Sequence, residues 1–247
     1  MMQSKEEIRQ KVWSVMQREK VARFPGAQGR IPNFAGAEAC ARLIAEKSYW
    51  KSARALKVNP DSPQRAIRHR ALAEGKIVYM PVPRLRDEKP FIELDPAKLD
   101  CSPYAASSIA AAAEFGRLVG VNQMRKVDLI ICGSVAVNCR GARVGKGGGY
   151  SDLEFAFLTE NKKISAKTPI VTSVHALQIL DEDLPMTEHD IPLSVIVMPR
   201  TIIEIYSAFP RPKGIYWRML TPEKIQAIPI LKAAAATCGF GNRVVSH

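Results

Sequence analysis

A glycine-rich segment, residues 140–154, has the composition of a phosphate-binding loop. It reads RGARVGKGGGYSDLE and contains Gly145, Gly147, Gly148 and Gly149. Glycine lacks a Cβ, so its backbone can approach a phosphate closely and point successive N–H groups at the phosphate oxygens. A buried strand is predicted before the segment, and the helix predicted after it would add its positive N-terminal end. The segment therefore predicts phosphate binding, with a flexible glycine hairpin as the alternative.

Three charged side chains stand in or beside this loop. Arg143 and Lys146 are cations that could neutralise a polyphosphate, and together with Asp152 they are our candidate catalytic residues. Asp152 could hold Mg²⁺ against phosphate oxygens, because Mg²⁺ usually keeps several waters and binds only one or two carboxylates. The pattern is neither a Walker A loop, since Gly147 follows Lys146, nor a GxGxxG dinucleotide loop. The residues therefore predict phosphate binding without specifying the reaction.

A second pair of cations lies near the N-terminus. Lys5 and Arg9 are four residues apart, so a helix places them on one face. Together with Arg143 and Lys146 they could form a cationic ring around a triphosphate. The alternative is an ordinary solvated helix face.

Helices and short apolar strands alternate along the chain and would position these residues. Ser4 and Glu7 form the capping-box pattern of a helix that continues to about residue 19. Further helices are predicted at 37–50, 64–74, 104–115, 152–162 and 222–236, and strands at 76–82, 127–132, 169–175 and 194–198. Short apolar strands separated by helices indicate a parallel sheet covered on both faces. We predict one α/β domain, 1–247, with a mainly helical N-terminal region (residues 1–75) and a sheet-containing core (residues 76–247).

Length and composition fit a protein with a sizeable core. The chain has 247 residues, of which 47% are hydrophobic. No apolar run is long enough to span a bilayer, and the N-terminus lacks the apolar region of a secretory signal, so we expect a soluble cytoplasmic protein with no membrane partner. The five cysteines are scattered without a CxxC pair. This favours reduced thiols over a disulfide framework or a zinc site.

The net charge of +12 is concentrated toward the N-terminus. Residues 1–90 hold 19 Lys and Arg against 9 Asp and Glu. A concentrated positive field favours anionic partners such as nucleotides, polycarboxylates or nucleic acid, and the alternative is a basic face kept for solubility. The segment lacks the aromatic pattern of a known RNA-binding domain, so nucleic acid is the less favoured partner.

Two motifs in order resemble the 5-formyltetrahydrofolate cyclo-ligase (methenyltetrahydrofolate synthetase) family. The family hallmark is GxRxGxGxGYYD followed by LPxxxHD. Here GARVGKGGGYSD (141–152) precedes LPMTEHD (184–190), and the Lys5/Arg9 pair is similar to the family's N-terminal phosphate-binding pair. Three further segments, RIPNF (30–34), PR (83–84) and RPKGIYW (211–217), resemble the branch of methenyltetrahydrofolate synthetase domain-containing proteins.

The resemblance implies a three-layer α/β/α, Rossmann-like fold, in agreement with the predicted α/β domain and its N-terminal helical extension. It also implies that ATP and Mg²⁺ are used to convert 5-formyltetrahydrofolate into 5,10-methenyltetrahydrofolate, with a reduced folate as the partner molecule. The residues implied to hold the phosphates are Lys5, Arg9, Arg143, Gly145, Gly147, Gly148 and Gly149. Tyr150 would line the nucleotide or folate side, and Asp152 would serve the metal. Lys146 falls at a variable family position, so its role rests on charge and location.

Two positions depart from the hallmark. Ser151 stands in place of the second tyrosine, and Leu153 in place of the arginine after the aspartate. Losing that arginine removes a bidentate partner for phosphate or carboxylate. The acidic residue that the family offers to the pterin has two candidates here, Asp61 and Glu93. A non-catalytic or regulatory folate- or nucleotide-binding protein therefore stays as the second hypothesis and an RNA-binding module as the third; the sequence leaves the oligomeric state open.

Overall fold

The computed structural model describes residues 3–237. Its helices are α1 (Lys5–Arg18), α2 (Ala37–Ala45), α3 (Ser48–Ser52), α4 (Arg65–Ala73), α5 (Pro103–Ala106), α6 (Ile109–Phe115), α7 (Tyr150–Glu160), α8 (Pro222–Ala227) and α9 (Pro229–Thr237). Its strands are β1 (Ala22–Arg23), β2 (Asn33–Phe34), β3 (Ala55–Val58), β4 (Ile77–Pro81), β5 (Phe91–Leu94), β6 (Arg117–Val119), β7 (Leu129–Cys132), β8 (Ala136–Val137), β9 (Arg143–Val144), β10 (Ile170–Ser173), β11 (Val195–Val197) and β12 (Ile202–Glu204). None of these helices is long and apolar enough to cross a membrane.

An eight-stranded sheet forms the middle of the described fold. Its strand order is β12-β11-β10-β7-β3-β4-β5-β6. The five strands from β11 to β4 pair in parallel, whereas β12, β5 and β6 add antiparallel edges. This confirms the predicted α/β fold with a mainly parallel sheet.

Side-chain alternation along the central strands produces one apolar core on each face of the sheet. On β7, Leu129 and Ile131 belong to a core that includes residues of α1, α2 and α4. Ile130 and Cys132 belong to a second core with residues of α7 and α9. Successive strand side chains point to opposite faces, so strands covered by helices on both sides are apolar throughout.

The first helix begins as the capping pattern predicts. The Ser4 hydroxyl accepts a hydrogen bond from the Glu7 amide, and the Ser4 amide donates to the Glu7 carboxylate. Ile8, Val12 and Met16 are buried along one side of the helix. The helix is therefore held on the core, and its first turns carry the predicted cationic pair.

The sheet begins earlier in the chain than we predicted. Strand β3, at the centre of the sheet, lies within the N-terminal region that was predicted to be mainly helical. Its sequence, ALKV, is only four residues long and contains a lysine, so no apolar run marks it. Lys57 is buried there because it forms an ion pair with Glu154 of α7. A contact between distant segments of the chain thus makes this strand possible.

Three predicted helices are each divided into two shorter ones. The segment 37–50 forms α2 and α3, the segment 104–115 forms α5 and α6, and the segment 222–236 forms α8 and α9. Ser108 caps α6 by accepting from the Ala111 amide, which favours a new helix start over continuation. Pro229 begins α9, and proline fits a first helical position because it has no N–H to leave unpaired.

Candidate functional site

A cavity of about 760 Å³ lies at the carboxyl ends of β7, β3 and β4. Its wall includes Gly133 after β7, residues 59–61 after β3 and residues 82–84 after β4. In the sheet, β4 lies on one side of β3 and β7 on the other, so the strand order reverses at this point. Open α/β sheets bind ligands in the crevice at such a reversal. The topology therefore marks this cavity as the candidate site.

Every residue predicted for phosphate, nucleotide or metal binding lines this cavity. They are Lys5, Arg9, Arg143, Gly145, Lys146, Gly147, Gly148, Gly149, Tyr150 and Asp152. They come from α1, from β9 with the loop that follows it, and from the first turn of α7. The structure thus brings the two predicted groups of cations together around one space.

The glycine loop presents unpaired backbone amides. Gly147 has φ +103° and Gly149 has φ +65°, values in the left-handed region that side chains disfavour. Within residues 3–237, the amide groups of Gly147, Gly148 and Gly149 donate to no hydrogen-bond acceptor. The eleven-residue helix α7 begins at Tyr150 and directs its positive end at the same loop. These features are the backbone elements of an anion site.

The cations of α1 connect that helix to both hallmark motifs. Arg9 donates from Nε to the Gly145 carbonyl oxygen at 2.7 Å and forms an ion pair with Glu6 at 2.8 Å. Lys5 Nζ lies 2.5 Å from Asp190 Oδ2, in the LPMTEHD segment. The first helix therefore forms one wall of the cavity and holds its cations in fixed positions.

Arg143 is the most buried cation among those predicted for the site, with 5% of its surface exposed. Its guanidinium donates to the Gly133 carbonyl oxygen at 3.0 Å and to Asp152 Oδ1 at 2.8 Å. Burial by itself would lower the pKa of Arg143, but nearby acidic groups, with Asp152 the foremost, together outweigh burial and raise it. The buried Nε atom has no hydrogen-bond partner in the described structure. Arg143 thus remains charged and fixes the orientation of Asp152.

Asp152 is a carboxylate that could hold a magnesium ion together with phosphate oxygens. Its Oδ1 atom also accepts from the Ile191 amide at 3.2 Å. The residues that the structure describes contain no group of three or more His, Cys, Asp and Glu side chains placed to hold a metal. Mg²⁺ commonly takes one or two carboxylates and completes its shell with phosphate oxygens and water. Asp152 and Asp61, which both line the cavity, are carboxylates that could serve in this way.

The two acidic candidates for the pterin lie in different environments. Asp61 lines the cavity, and its Oδ1 atom is 3.3 Å from Lys146 Nζ. Glu93 lies on β5 and does not line the cavity; it accepts hydrogen bonds from the Tyr79 hydroxyl at 3.0 Å and from Arg117 at 2.7 Å. The geometry therefore favours Asp61 over Glu93 for contact with a ligand.

A buried polar network lies where the sequence departs from the family hallmark. Ser151 Oγ accepts from Asn59 Nδ2 at 2.8 Å, and Asn59 Oδ1 accepts from Lys57 at 2.5 Å. Lys57 also forms the buried ion pair with Glu154, whose pKa is raised by burial although the lysine charge opposes the shift. Leu153 is buried in an apolar core. Both departures are therefore accommodated by contacts within the fold.

Positive charge dominates the cavity wall. Seven Lys and Arg side chains and four Asp and Glu side chains line it, an excess of three positive charges. The cations are Lys5, Arg9, Arg30, Arg84, Arg143, Lys146 and Lys224, and the anions are Asp61, Asp152, Glu154 and Asp190. Such a balance attracts anionic ligands.

Sequence reasoning did not select Asn59, Arg30, Arg84 or Lys224 as site residues. Arg84 follows the predicted strand 76–82, so its position at a carboxyl strand end was a usable signal. Asn59 was missed because strand β3 itself was missed. Lys224 carries no local signal, since its place in the site depends on how residues 205–237 pack on α7.

Residues 1–199 match the model of the 5-formyltetrahydrofolate cyclo-ligase family. The chain belongs to this family. Proteins from cattle (Bos taurus) and mouse (Mus musculus), each named methenyltetrahydrofolate synthase domain-containing protein, are 36% and 37% identical over 235 and 234 residues. These alignments cover 93% of this chain and 61% and 62% of the relatives, so the chain spans about three fifths of their length. The expected family and branch are thus confirmed.

The fold agrees with a solved structure. The 5,10-methenyltetrahydrofolate synthetase of Aquifex aeolicus superposes with a TM-score of 0.52 at 18% identity. The superposition covers 83% of this chain and 95% of that chain. The similarity supports the shared α/β architecture.

Replacing Asp190 by asparagine should reduce stability near neutral pH and have less effect in acid. Burial opposes ionisation of Asp190, but hydrogen bonds from Lys5 and Thr187 outweigh burial and lower its pKa below the usual 3.8. A carboxylate with a lowered native pKa contributes stability above its unfolded pKa, and this contribution is lost as the pH falls through the native pKa. We expect urea unfolding at pH 7 to show a loss of about 1–3 kcal/mol for Asp190→Asn.

The matched control is Asp183→Asn, because Asp183 is exposed and its ion pair with Arg140 lies at the surface. This control should change stability little at any pH. A loss for Asp190→Asn that is the same at pH 7 and below pH 3.8 would contradict the assigned role of the carboxylate.

Proposed function

We propose that this protein catalyses the ATP- and Mg²⁺-dependent conversion of 5-formyltetrahydrofolate to 5,10-methenyltetrahydrofolate, with release of ADP and phosphate. The observation that carries the proposal is one cavity that joins an amide-rich glycine loop and its cations to the segments after β3 and β4. Its volume of about 760 Å³ lies within the usual range of small-molecule sites. Family membership supplies the class of reaction.

The proposed chemistry consists of a phosphoryl transfer followed by ring closure. The formyl oxygen attacks the γ-phosphorus of ATP, and ADP leaves. N10 of the folate then attacks the activated carbon and loses its proton, and the carbon–oxygen bond breaks to release phosphate and leave the methenyl bridge. Both steps require close positioning of the reactants and neutralisation of negative charge. Fixed cations and oriented amides provide these conditions without reorganising during the reaction.

The phosphate end of the cavity would hold ATP. The loop amides would bind phosphate oxygens, and Arg9 and Lys146 would neutralise their charge from two sides. Asp152 would hold Mg²⁺ on the phosphate oxygens, while Arg143 orients that carboxylate through the ion pair of 2.8 Å. In this arrangement Arg143 would orient Asp152 by direct contact, and its positive charge would attract the phosphates of the nucleotide.

The segments after β3 and β4 would hold the folate. Asp61 would accept hydrogen bonds from N–H groups of the pterin. Arg84 has φ +57° and the buried Leu85 after it has φ +51°, conformations that are uncommon for non-glycine residues. The Arg84 guanidinium has no hydrogen bond or ion pair within the described chain. A free guanidinium in the cavity wall is suited to bind the carboxylates of a folate glutamate tail.

Turnover can be measured from the absorbance of the methenyl product with ATP, Mg²⁺ and 5-formyltetrahydrofolate. We expect wild-type protein to form product and Lys146→Ala to lower kcat/KM at least about tenfold, the equivalent of losing one charge-assisted contact of about 1.4 kcal/mol. Lys126→Ala removes an exposed lysine that does not line the cavity and should retain wild-type turnover.

Failure to turn over while ATP still binds would instead support the non-catalytic folate- or nucleotide-binding protein. Ser151 and Leu153 are the observations that favour this second candidate, since they replace hallmark side chains by a hydrogen-bonded serine and a buried leucine.

The folate end is tested by Arg84→Ala. We expect the KM for 5-formyltetrahydrofolate to rise about tenfold while the KM for ATP stays within about twofold, because the lost contact concerns the folate carboxylates. Arg86→Ala is the matched control, since Arg86 is exposed two residues away and does not line the cavity. Equal folate KM values for wild type and Arg84→Ala would remove Arg84 from the folate site.

A further inference from the structure

Residues 205–237, which lie beyond the family match, form a C-terminal segment that packs along α7. Arg211 donates to the Thr168 carbonyl oxygen at 2.7 Å, which ties residues 205–237 to the loop before β10. The Ile215 amide donates at 2.8 Å to the carboxylate of Glu160, the last residue of α7. The start of this C-terminal segment is therefore fixed at the far end of the helix that follows the glycine loop.

Apolar contacts hold the rest of the segment against the same helix. Ile228 and Leu231 are buried in one core with Leu153 and Phe157 of α7. A small cavity of about 60 Å³ between the segment and the first turns of α7 is lined by residues of both and by Gly149 of the glycine loop. The segment therefore runs alongside α7 and reaches its N-terminal end, where the glycine loop lies.

This packing places Lys224 of α8 on the glycine loop. Its Nζ atom donates to the Gly148 carbonyl oxygen at 2.9 Å and lies 5.6 Å from the centre of the Tyr150 ring. A Cβ on Gly149 would stand 2.9 Å from the same Nζ atom, so a side chain there would displace the ammonium group. Lys224 also lines the large cavity, which makes it a cation of the candidate site.

Lys224 has less neighbouring negative charge than the four predicted cations around the glycine loop. Lys5, Arg9, Arg143 and Lys146 each form an ion pair with a carboxylate. In the described residues, no carboxylate lies within ion-pair distance of Lys224 Nζ. Burial lowers the pKa of Lys224, and the more distant Asp152 charge opposes the shift. An ammonium group has three N–H donors, and the bond to Gly148 uses one of them.

We propose that Lys224 binds the β- or γ-phosphate of the nucleotide and, through its hydrogen bond to Gly148, holds the glycine loop in the conformation that binds phosphate. The C-terminal segment thereby belongs to the nucleotide site, although it lies outside the family match. The inference rests on the proposed function, because it assigns the anion at this loop to ATP. It adds a cation that neither hallmark motif supplies.

The test measures binding of ATP and of AMP, each with Mg²⁺, by titration calorimetry. Lys224→Met keeps an unbranched apolar side chain and loses the charge, so it should weaken ATP binding at least about tenfold and AMP binding much less. Lys224→Arg restores a cation and should bring ATP affinity back to within about threefold of wild type. A residue that only stabilised the fold would lower both affinities in proportion.

Lys232→Met is the matched control, because Lys232 is an exposed cation on α9 that does not line the cavity. It should bind both nucleotides as wild type does, and thermal unfolding should show that all variants are folded. If wild type binds ATP and Lys224→Met binds it equally well, the inference about Lys224 is overturned and the proposed function stands. If wild type itself does not bind ATP, both are overturned.

Discussion

The buried ion pair between Arg143 and Asp152 is the contact on which the site depends. Arg143 belongs to β9, Asp152 to the first turn of α7, and the same guanidinium holds the Gly133 carbonyl oxygen after β7. One buried charge thus fixes the two ends of the glycine loop relative to the end of a central strand. Removing either partner would leave an uncompensated charge in the interior, which is strongly unfavourable. The position of the glycine loop therefore depends on this ion pair.

Each predicted cation of the site forms an ion pair with a carboxylate, and the cavity wall still carries an excess of positive charge. Lys146 pairs with Asp61 across 85 residues of sequence, and Lys5 pairs with Asp190 across 185. These pairs fix the positions of side chains before any ligand arrives, which reduces the ordering that binding requires. The excess of positive charge that remains along the wall is suited to a polyanion. Lys224 adds to this excess from the end of the chain.

Ser151 and Leu153, the two departures from the family hallmark, make contacts inside the fold. Ser151 is bonded to Asn59, and Asn59 is bonded to Lys57, which reaches Glu154 on α7. The network joins strand β3 to α7 beneath the cavity, so it ties the sheet to the helix that follows the glycine loop. Leu153 takes its place in an apolar core. Changes at these positions would therefore affect the support of the loop as well as its surface.

Local sequence patterns determined much of this protein: the capping box of Ser4 and Glu7, the apolar central strands, and a glycine loop opening a helix. Each of these signals lies within a few residues, so periodicity and spacing were enough to predict the α/β fold and to select the glycine loop with Arg143, Lys146 and Asp152. The choice of Lys5, Arg9 and Tyr150 rested on the family resemblance as well. Tertiary structure alone decided that β3 enters the sheet, that Asp61 and not Glu93 meets the cavity, and that Lys224 reaches the loop. These outcomes depend on contacts between residues far apart in the chain, whose energy arises only after the sheet has brought their partners together.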